Sequence, residues 1–267
     1  MNEFQPFPVM LTFDIDAESL WIARDPKMAN YPIALSQGRY GTKIGVDRIL
    51  KLLAKYEITV TFFVPGMTIE HNEALMQKVL QQGHEIAHHS YSHRWLENLS
   101  LDEEREEMEK GIDLIKQLTG SRPRGYRSPA GEFTPHTFDL LLEYGIEYSS
   151  NFFDDEVPYK HVINGKKSDL VELPFAWALD DAPFFLYSNR LPGRFMAAPS
   201  AVLETWKMEF DGLYAEKKSY VLAMHPQIIG RPSRIQILES LIQYIKGHSN
   251  VWFARCDQVV DKFKDML

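Results

Sequence analysis

The feature that most constrains this chain is a repeated alternation of short β-rich runs with longer amphipathic ones. Val9 to Phe13 is β-rich and ends at acidic residues, and Val46 to Tyr56 places Val46, Ile49, Leu50 and Leu53 on one helical face. Thr59 to Val64 is β-branched and aromatic, stopped by Pro65-Gly66. Asn72 to Gln82 is helical with Gly83 as its C-cap, and Glu85 to Ala87 is a short strand. Ser100 and Glu103 form a capping box that opens a charged helix to about Thr119. The pattern continues with a strand end at Gly125 to Arg127, a helix over Thr134 to Tyr144 and a strand at Leu170 to Leu173. A helix over Ala201 to Lys217, a strand at Tyr220 to Met224, a helix over Ser233 to Lys246, a strand at Val251 to Ala254 and a closing helix complete it. Such units favour a parallel sheet with helices outside, and about seven of them predict an α/β fold, a (β/α) barrel.

A chain of 267 residues with 45% hydrophobic content fits a single domain over 1–267, with an irregular insertion at about 151–200 shaping the substrate mouth. The single cysteine, Cys256, rules out an intrachain disulfide and is expected to pack. The formal net charge of −8 disfavours a nucleic-acid partner. Met1 to Met10 carry Glu3 and no Lys or Arg, unlike a secretory leader. No stretch reaches the roughly 20 apolar residues that span a membrane. The expectation is a soluble cytoplasmic protein without a membrane or nucleic-acid partner.

In such barrels the chemistry lies at the C-terminal strand ends, and the polar clusters of this sequence fall there. In Thr12-Phe13-Asp14-Ile15-Asp16, residues two apart on an extended chain point the same way, so Asp14 and Asp16 can face one site. Two close carboxylates repel unless a cation or proton lies between them, and an ion held by one leaves the other free as a base. The alternative is a solvated acidic turn. In His88-His89-Ser90-Tyr91-Ser92-His93, the spacing lets His89 and His93 reach one ion; the alternative is a polar loop of hydrogen-bonded histidines. Asp16, His89 and His93 with an open position describe a catalytic zinc site, although Fe, Co, Mn or Ni suits the same donors. Position 90 is Ser, so a base must come from elsewhere, and Asp14 is the candidate. His88 is expected to pack or to support the ligands.

Gly125-Tyr126-Arg127-Ser128-Pro129-Ala130-Gly131-Glu132 offers Arg127 to keep a carboxylate ionised, and backbone amides for an oxyanion; alone it is an ordinary loop. His225, in Leu222-Ala223-Met224-His225-Pro226, is a candidate acid if Asp180 or Asp181 holds its other nitrogen; otherwise it is a satisfied buried histidine. Glu103, Glu104, Glu106, Glu107 and Glu109 read as a solvated helix face, and His71, His84, His136, His161 and His248 as surface or capping residues.

Together these segments resemble the polysaccharide deacetylase family, the NodB-homology or family-4 carbohydrate esterases. Thr12-Phe13-Asp14-Ile15-Asp16 is similar to its Thr-Phe-Asp-Asp motif, His89-Ser90-Tyr91-Ser92-His93 to its histidine motif, Arg127-Ser128-Pro129-Ala130-Gly131 to Arg-x-Pro-x-Gly, and Leu222-Ala223-Met224-His225 to Leu-x-x-His. The match runs from about Met10 to Phe253. Two departures, the split Asp-x-Asp and the three residues between His89 and His93, resemble a branch with peptidoglycan deacetylase-like proteins, cyclic imide hydrolases and metal-independent allantoinases. That resemblance implies a distorted (β/α) barrel of NodB-homology type, an amide or imide C–N bond as target, and often a homo-oligomer.

The expected mechanism gives Asp14 as base, oriented by Arg127, and His225 as acid, steadied by Asp180 or Asp181. Tyr126, Trp177 and Glu132 are candidate substrate contacts, and the Pro183 to Tyr187 aromatics candidate pocket walls. The substrate is expected to be a small amide, amino sugar or imide. Three functions fit: a deacetylase of N-acetylated sugars, a cyclic imide or ureide hydrolase, and a non-catalytic metal- or sugar-binding protein.

Overall fold

The computed structural model describes residues 6–190 and 195–267. Residues 1–5, part of the Met1 to Met10 stretch, and residues 191–194 of the 151–200 segment lie outside the described residues. The strands are Phe7–Asp14 (β1), Thr61–Val64 (β2), Glu85–His88 (β3), Gly125–Tyr126 (β4), Tyr148–Ser149 (β5), Tyr159–Ile163 (β6), Lys166–Glu172 (β7), Tyr220–Met224 (β8) and Val251–Phe253 (β9). The α-helices are Ser19–Arg24 (α1), Pro32–Tyr40 (α2), Val46–Tyr56 (α3), Gly66–His71 (α4), Glu73–Gln81 (α5), Leu101–Thr119 (α6), Thr137–Glu143 (α7), Ala182–Phe185 (α8), Pro199–Ala215 (α9), Pro226–Ile229 (α10), Pro232–Lys246 (α11) and Cys256–Phe263 (α12).

The strand order is β6-β7-β5-β4-β3-β2-β1-β8, with β9 beside the N-terminal part of β1. Every pairing is parallel except the β6–β7 hairpin. Seven parallel strands, β7 through β8 along that path, form the distorted barrel expected from the sequence. Among the described residues no ladder joins β7 to β8. The chain leaving β7 instead reaches the free edge of β8, where Asp180 bridges Ala223. The 151–200 segment therefore supplies β7 and Asp180 to the sheet as well as the β6–β7 hairpin.

A strand flanked by parallel neighbours is covered on both faces, and every residue of β1 is buried. Leu11 and Phe13 face the helices, in a large apolar layer with α3, α9 and α11. Met10, on the other face, joins Phe63, Ala87, Val221 and Ala223 inside the barrel. Cys256, Val259, Val260 and Phe263 of α12 close that interior core from below. The same alternation sends Thr12 and Asp14 inward at the opposite end, where the cleft opens.

No periodic pattern marks the residues between β1 and α3. There α2 runs through a π-helical turn, Gly41–Gly45, into α3. This turn packs on α10: a Cβ at Gly45 would lie 2.2 Å from the Pro226 carbonyl oxygen. Only glycine permits that approach, which sets the loop following His225 against the helical layer.

Candidate active site

Asp14 ends β1, Asp16 lies two residues beyond it, His89 and His93 follow β3, Arg127 follows β4 and His225 follows β8. All six are buried, with Asp16 at 0% exposure. Asp14, His89, His93, Arg127, Asp180 and His225 line one cleft of about 380 Å³.

Arg127 is held on all sides. Its Nε donates to the Ser150 carbonyl at 3.1 Å and its Nη2 to Ser150 Oγ at 2.8 Å. Its Nη1 donates to Thr12 Oγ1 at 2.9 Å and to Asp14 Oδ1 at 2.8 Å. The guanidinium lies over Phe63 and Phe175, 4.1 and 5.1 Å from the ring centroids. A planar fork fixed by aromatic faces and two backbone-anchored partners orients the Asp14 carboxylate and leaves its Oδ2 directed at the cleft, 3.9 Å from His89 Nε2.

Asp16, His89 and His93 meet beside it. Asp16 Oδ1 is 3.4 Å from His89 Nε2 and 3.6 Å from His93 Nε2. Ligands on a tetrahedral ion with bonds of about 2.0–2.1 Å stand about 3.3 Å apart, so these donors fit a small divalent cation. Asp16 Oδ1 is buried without a hydrogen-bond partner among the described residues. A buried anionic oxygen in that position suits a bound cation. Burial alone would push the Asp16 carboxyl up, but His93, His89 and His225 outweigh it and hold it below the usual carboxylate range. Burial pushes the His93 imidazole down to about 4 against the pull of Asp16, so the ring is neutral near pH 7, as a metal ligand must be. His89 Nδ1 donates to the Arg127 carbonyl at 2.7 Å, which turns Nε2 towards Asp16.

His225 stands on the other flank. Its Nδ1 lies 2.7 Å from Asp181 Oδ1 and 3.8 Å from Asp180 Oδ1, so Asp181 is its direct partner. Its Nε2 is 3.7 Å from Asp16 Oδ2. Burial disfavours charge on this ring, but Asp181, Asp16 and Asp180 overcome that and raise it well above the ordinary imidazole value. Asp180 caps the Ala182 amide at 2.7 Å, and burial, reinforced by Asp181 and opposed by His225, pushes its carboxyl up to about 7.

Several sequence expectations change at this level. Tyr126, expected at the pocket wall, is 1% exposed and packs with Met108, Ile112 and Leu141 behind the sheet. Adjacent strand residues face opposite sides, so the position that sends Arg127 inward turns Tyr126 away. The loop amides expected at an oxyanion are engaged: Arg127 N donates to the His88 carbonyl and Ser128 N to Asn151 Oδ1. Trp177 and Glu132 do line the cleft, and Trp177 is 51% exposed. Of the Pro183 to Tyr187 stretch, Pro183 and Leu186 line it, whereas Phe185 is in the core.

The sequence reading did not single out Ser150 and Asn151, which anchor Arg127 and Ser128, or Gln227, whose Nε2 lies 3.5 Å from Asp16 Oδ2. Gln227 follows the His225-Pro226 motif directly, and that adjacency was its one legible signal. His161 is buried and bonded to Glu172 at 2.9 Å, and His84 is buried and accepts from the Val60 amide; neither is a surface residue.

Comparison with known proteins agrees with this architecture. Residues 2–149 match the polysaccharide deacetylase family model. A peptidoglycan deacetylase from Helicobacter pylori is 31% identical over 275 residues, covering 94% of both chains. A Mycobacterium smegmatis structure assigned to the polysaccharide deacetylases superposes with a TM-score of 0.93 at 33% identity, covering 100% of this chain and 93% of that one. The Puue allantoinase superposes with a TM-score of 0.83 at 25% identity, covering 98% of this chain and 91% of that one. With over half its length matched by the family model and a deacetylase relative aligned almost end to end, the chain belongs to the polysaccharide deacetylase family and is a hydrolase of non-peptide carbon–nitrogen bonds.

Proposed function

We propose that the chain is a divalent-metal amidase, with zinc as its ion, that removes the acetyl group from an N-acetylated sugar or a related small amide. The observation that carries this reading is the placement of a base and an acid on opposite flanks of Asp16. Asp14 Oδ2 lies 3.9 Å from His89 Nε2, and His225 Nε2 lies 3.7 Å from Asp16 Oδ2. Asp16, His89 and His93 would hold the ion. When bound, the ion supplies Lewis-acid polarisation of the scissile carbonyl and acidifies the attacking water.

Every other step belongs to side chains. Asp14 takes the proton of the water, and Arg127 holds the carboxylate aimed at the cleft. His225 gives a proton to the departing nitrogen through Nε2, while Asp181 holds Nδ1 and stabilises the charged ring. Trp177, tilted against Phe153 at 4.9 Å, offers an exposed aromatic face at the rim, and Glu132 a carboxylate beside it.

The likeness to the Puue allantoinase along nearly the whole chain supports a second reading, hydrolysis of a cyclic imide or ureide at the same site. Product analysis on N-acetyl sugars, a glutarimide-type imide and allantoin separates the two. Acetate appearing with a free amine supports the deacetylase. Ring opening without acetate release supports the second reading. Stoichiometric zinc binding without turnover of any of these substrates would contradict both.

A further inference from the structure

The helix α6 was expected to present its glutamates to solvent, yet Glu104 and Glu107 are buried at 1% and 7% exposure. They lie three residues apart on the face that also carries Met108, Gly111, Ile112 and Ile115. Each carboxylate serves a different loop. Glu104 accepts from Thr134 Oγ1 and Thr137 Oγ1, both at 2.6 Å, and so fixes the segment that follows the Arg127 motif. Glu107 accepts from Ser90 Oγ at 2.7 Å, the Tyr91 amide at 3.1 Å, the Ser92 amide at 2.7 Å and Ser92 Oγ at 2.5 Å.

All four donors to Glu107 belong to the three residues between His89 and His93. That loop is not an ordinary turn, because Ser90 and His93 both have left-handed backbones, with φ of 62° and 63°. Its carbonyls are held separately: Gly66 N donates to the Ser90 carbonyl and Met67 N to that of Tyr91. Gly111 permits the contact from the helix side, since a Cβ there would lie 2.5 Å from His88 Nε2 and 3.0 Å from the Ser90 carbonyl oxygen. The Tyr91 and Ser92 amides and the Ser90 and Ser92 hydroxyls therefore share one partner, while the Ser90 amide donates to His88 Nδ1 and the Tyr91 hydroxyl to Glu70. Without Glu107, two buried or half-buried N–H groups lose their acceptor and the strained backbone loses its restraint.

We propose that Glu107 is a positioning residue for metal binding. It sets the Ser90–Ser92 backbone so that His89 and His93 converge on Asp16. The inference rests on the proposed metal site but concerns a residue that touches neither ion nor substrate. Groups that orient metal ligands change affinity by about 10- to 100-fold when removed.

The test is the zinc dissociation constant of the full-length protein, measured by competition with a chromophoric chelator, for wild type and for Glu107→Ala, Glu107→Gln and Glu104→Ala. Glu107→Ala should weaken zinc binding about 10- to 100-fold. Glu107→Gln, whose carbonyl can still accept from both amides and Ser90 Oγ while the Ser92 hydroxyl turns to accept, should stay within about threefold of wild type. Glu104→Ala, equally buried but tied to a loop without ligands, should leave zinc affinity unchanged even where it lowers the melting temperature. If Glu107→Ala does not fold, the Ser90→Ala/Ser92→Ala pair, which removes two of the four donors, should weaken zinc binding on its own. Wild-type affinity in Glu107→Ala or in that pair, or an equal loss in Glu104→Ala, overturns the proposal. Failure of wild type itself to take up one equivalent of zinc instead overturns the metal site on which it rests.

Discussion

Asp181 grips His225 twice: Oδ1 meets the ring Nδ1 at 2.7 Å, and Oδ2 accepts the His225 backbone amide at 3.0 Å. The ring is thus fixed with Nε2 directed at the cleft, and its charged form is stabilised by a carboxylate at 0% exposure. Asp181→Asn keeps the shape but removes that charge, and should lower kcat by about 10²- to 10³-fold with little change in KM. Asp180→Asn, at 3.8 Å from Nδ1, should cost less. Steady-state kinetics of the two variants checks the ranking, and the reverse order would reassign the partner of His225.

Asp14 and Arg127 form the other half of the site. Asp14→Asn should reduce kcat by about 10³-fold while bound zinc stays at one equivalent, because the proposed ligands are other residues. Arg127→Lys should also be severely impaired, since an ammonium cannot hold Ser150, Thr12 and Asp14 together as the fork does. Turnover and metal content measured on the same preparations decide this. Full activity in Asp14→Asn would remove Asp14 from the role of base.

Trp177 is exposed at the cleft rim, with its ring against Phe153. Trp177→Ala should raise KM about tenfold and leave kcat within about threefold, the signature of lost binding rather than lost chemistry. A fall in kcat with unchanged KM would argue against the rim position as a substrate contact.

A pH effect on stability is expected from the far end of the barrel. Glu85 accepts from Thr61 Oγ1 at 2.6 Å, Tyr148 Oη at 2.8 Å and the Asp257 amide at 3.2 Å. Burial, reinforced by Asp257, pushes its carboxyl up from 4.5 to about 7. The folded protein therefore binds this proton more tightly than the unfolded chain. Its contribution is fully present below about pH 4.5 and is lost as pH rises through about 7. Glu85→Gln mimics the protonated group and should gain on wild type by roughly 2 kcal/mol between pH 5 and pH 8. Urea denaturation at the two pH values measures it, and a pH-independent difference would contradict the assignment.

What the sequence made legible follows from which physical signals are local. The periodic helix Val46–Tyr56 and the continuous apolar run Tyr220–Met224 appear with the bounds expected of them. The stretch between Ala17 and Gly45 was opaque because its helices are short, broken at Pro26 and Pro32, and shaped by contacts of Gly41 and Gly45 with α10. At the site, two-residue spacing brought Asp14 and Asp16 forward, and the same spacing should have sent Tyr126 behind the sheet once Arg127 was placed in the cleft. Glu107 was illegible for another reason. A buried glutamate and a solvated one look alike in a charged run, and only the loop folded against α6 tells them apart.

The most direct test of the central claim is metal analysis of the purified protein beside Asp16→Ala and His93→Ala, each assayed for amide hydrolysis before and after chelation. The account predicts one equivalent of a divalent metal per wild-type chain, loss of activity on chelation and its return with zinc, and neither stoichiometric metal nor activity in the two variants. Undiminished turnover by wild-type protein stripped of divalent metal would contradict it.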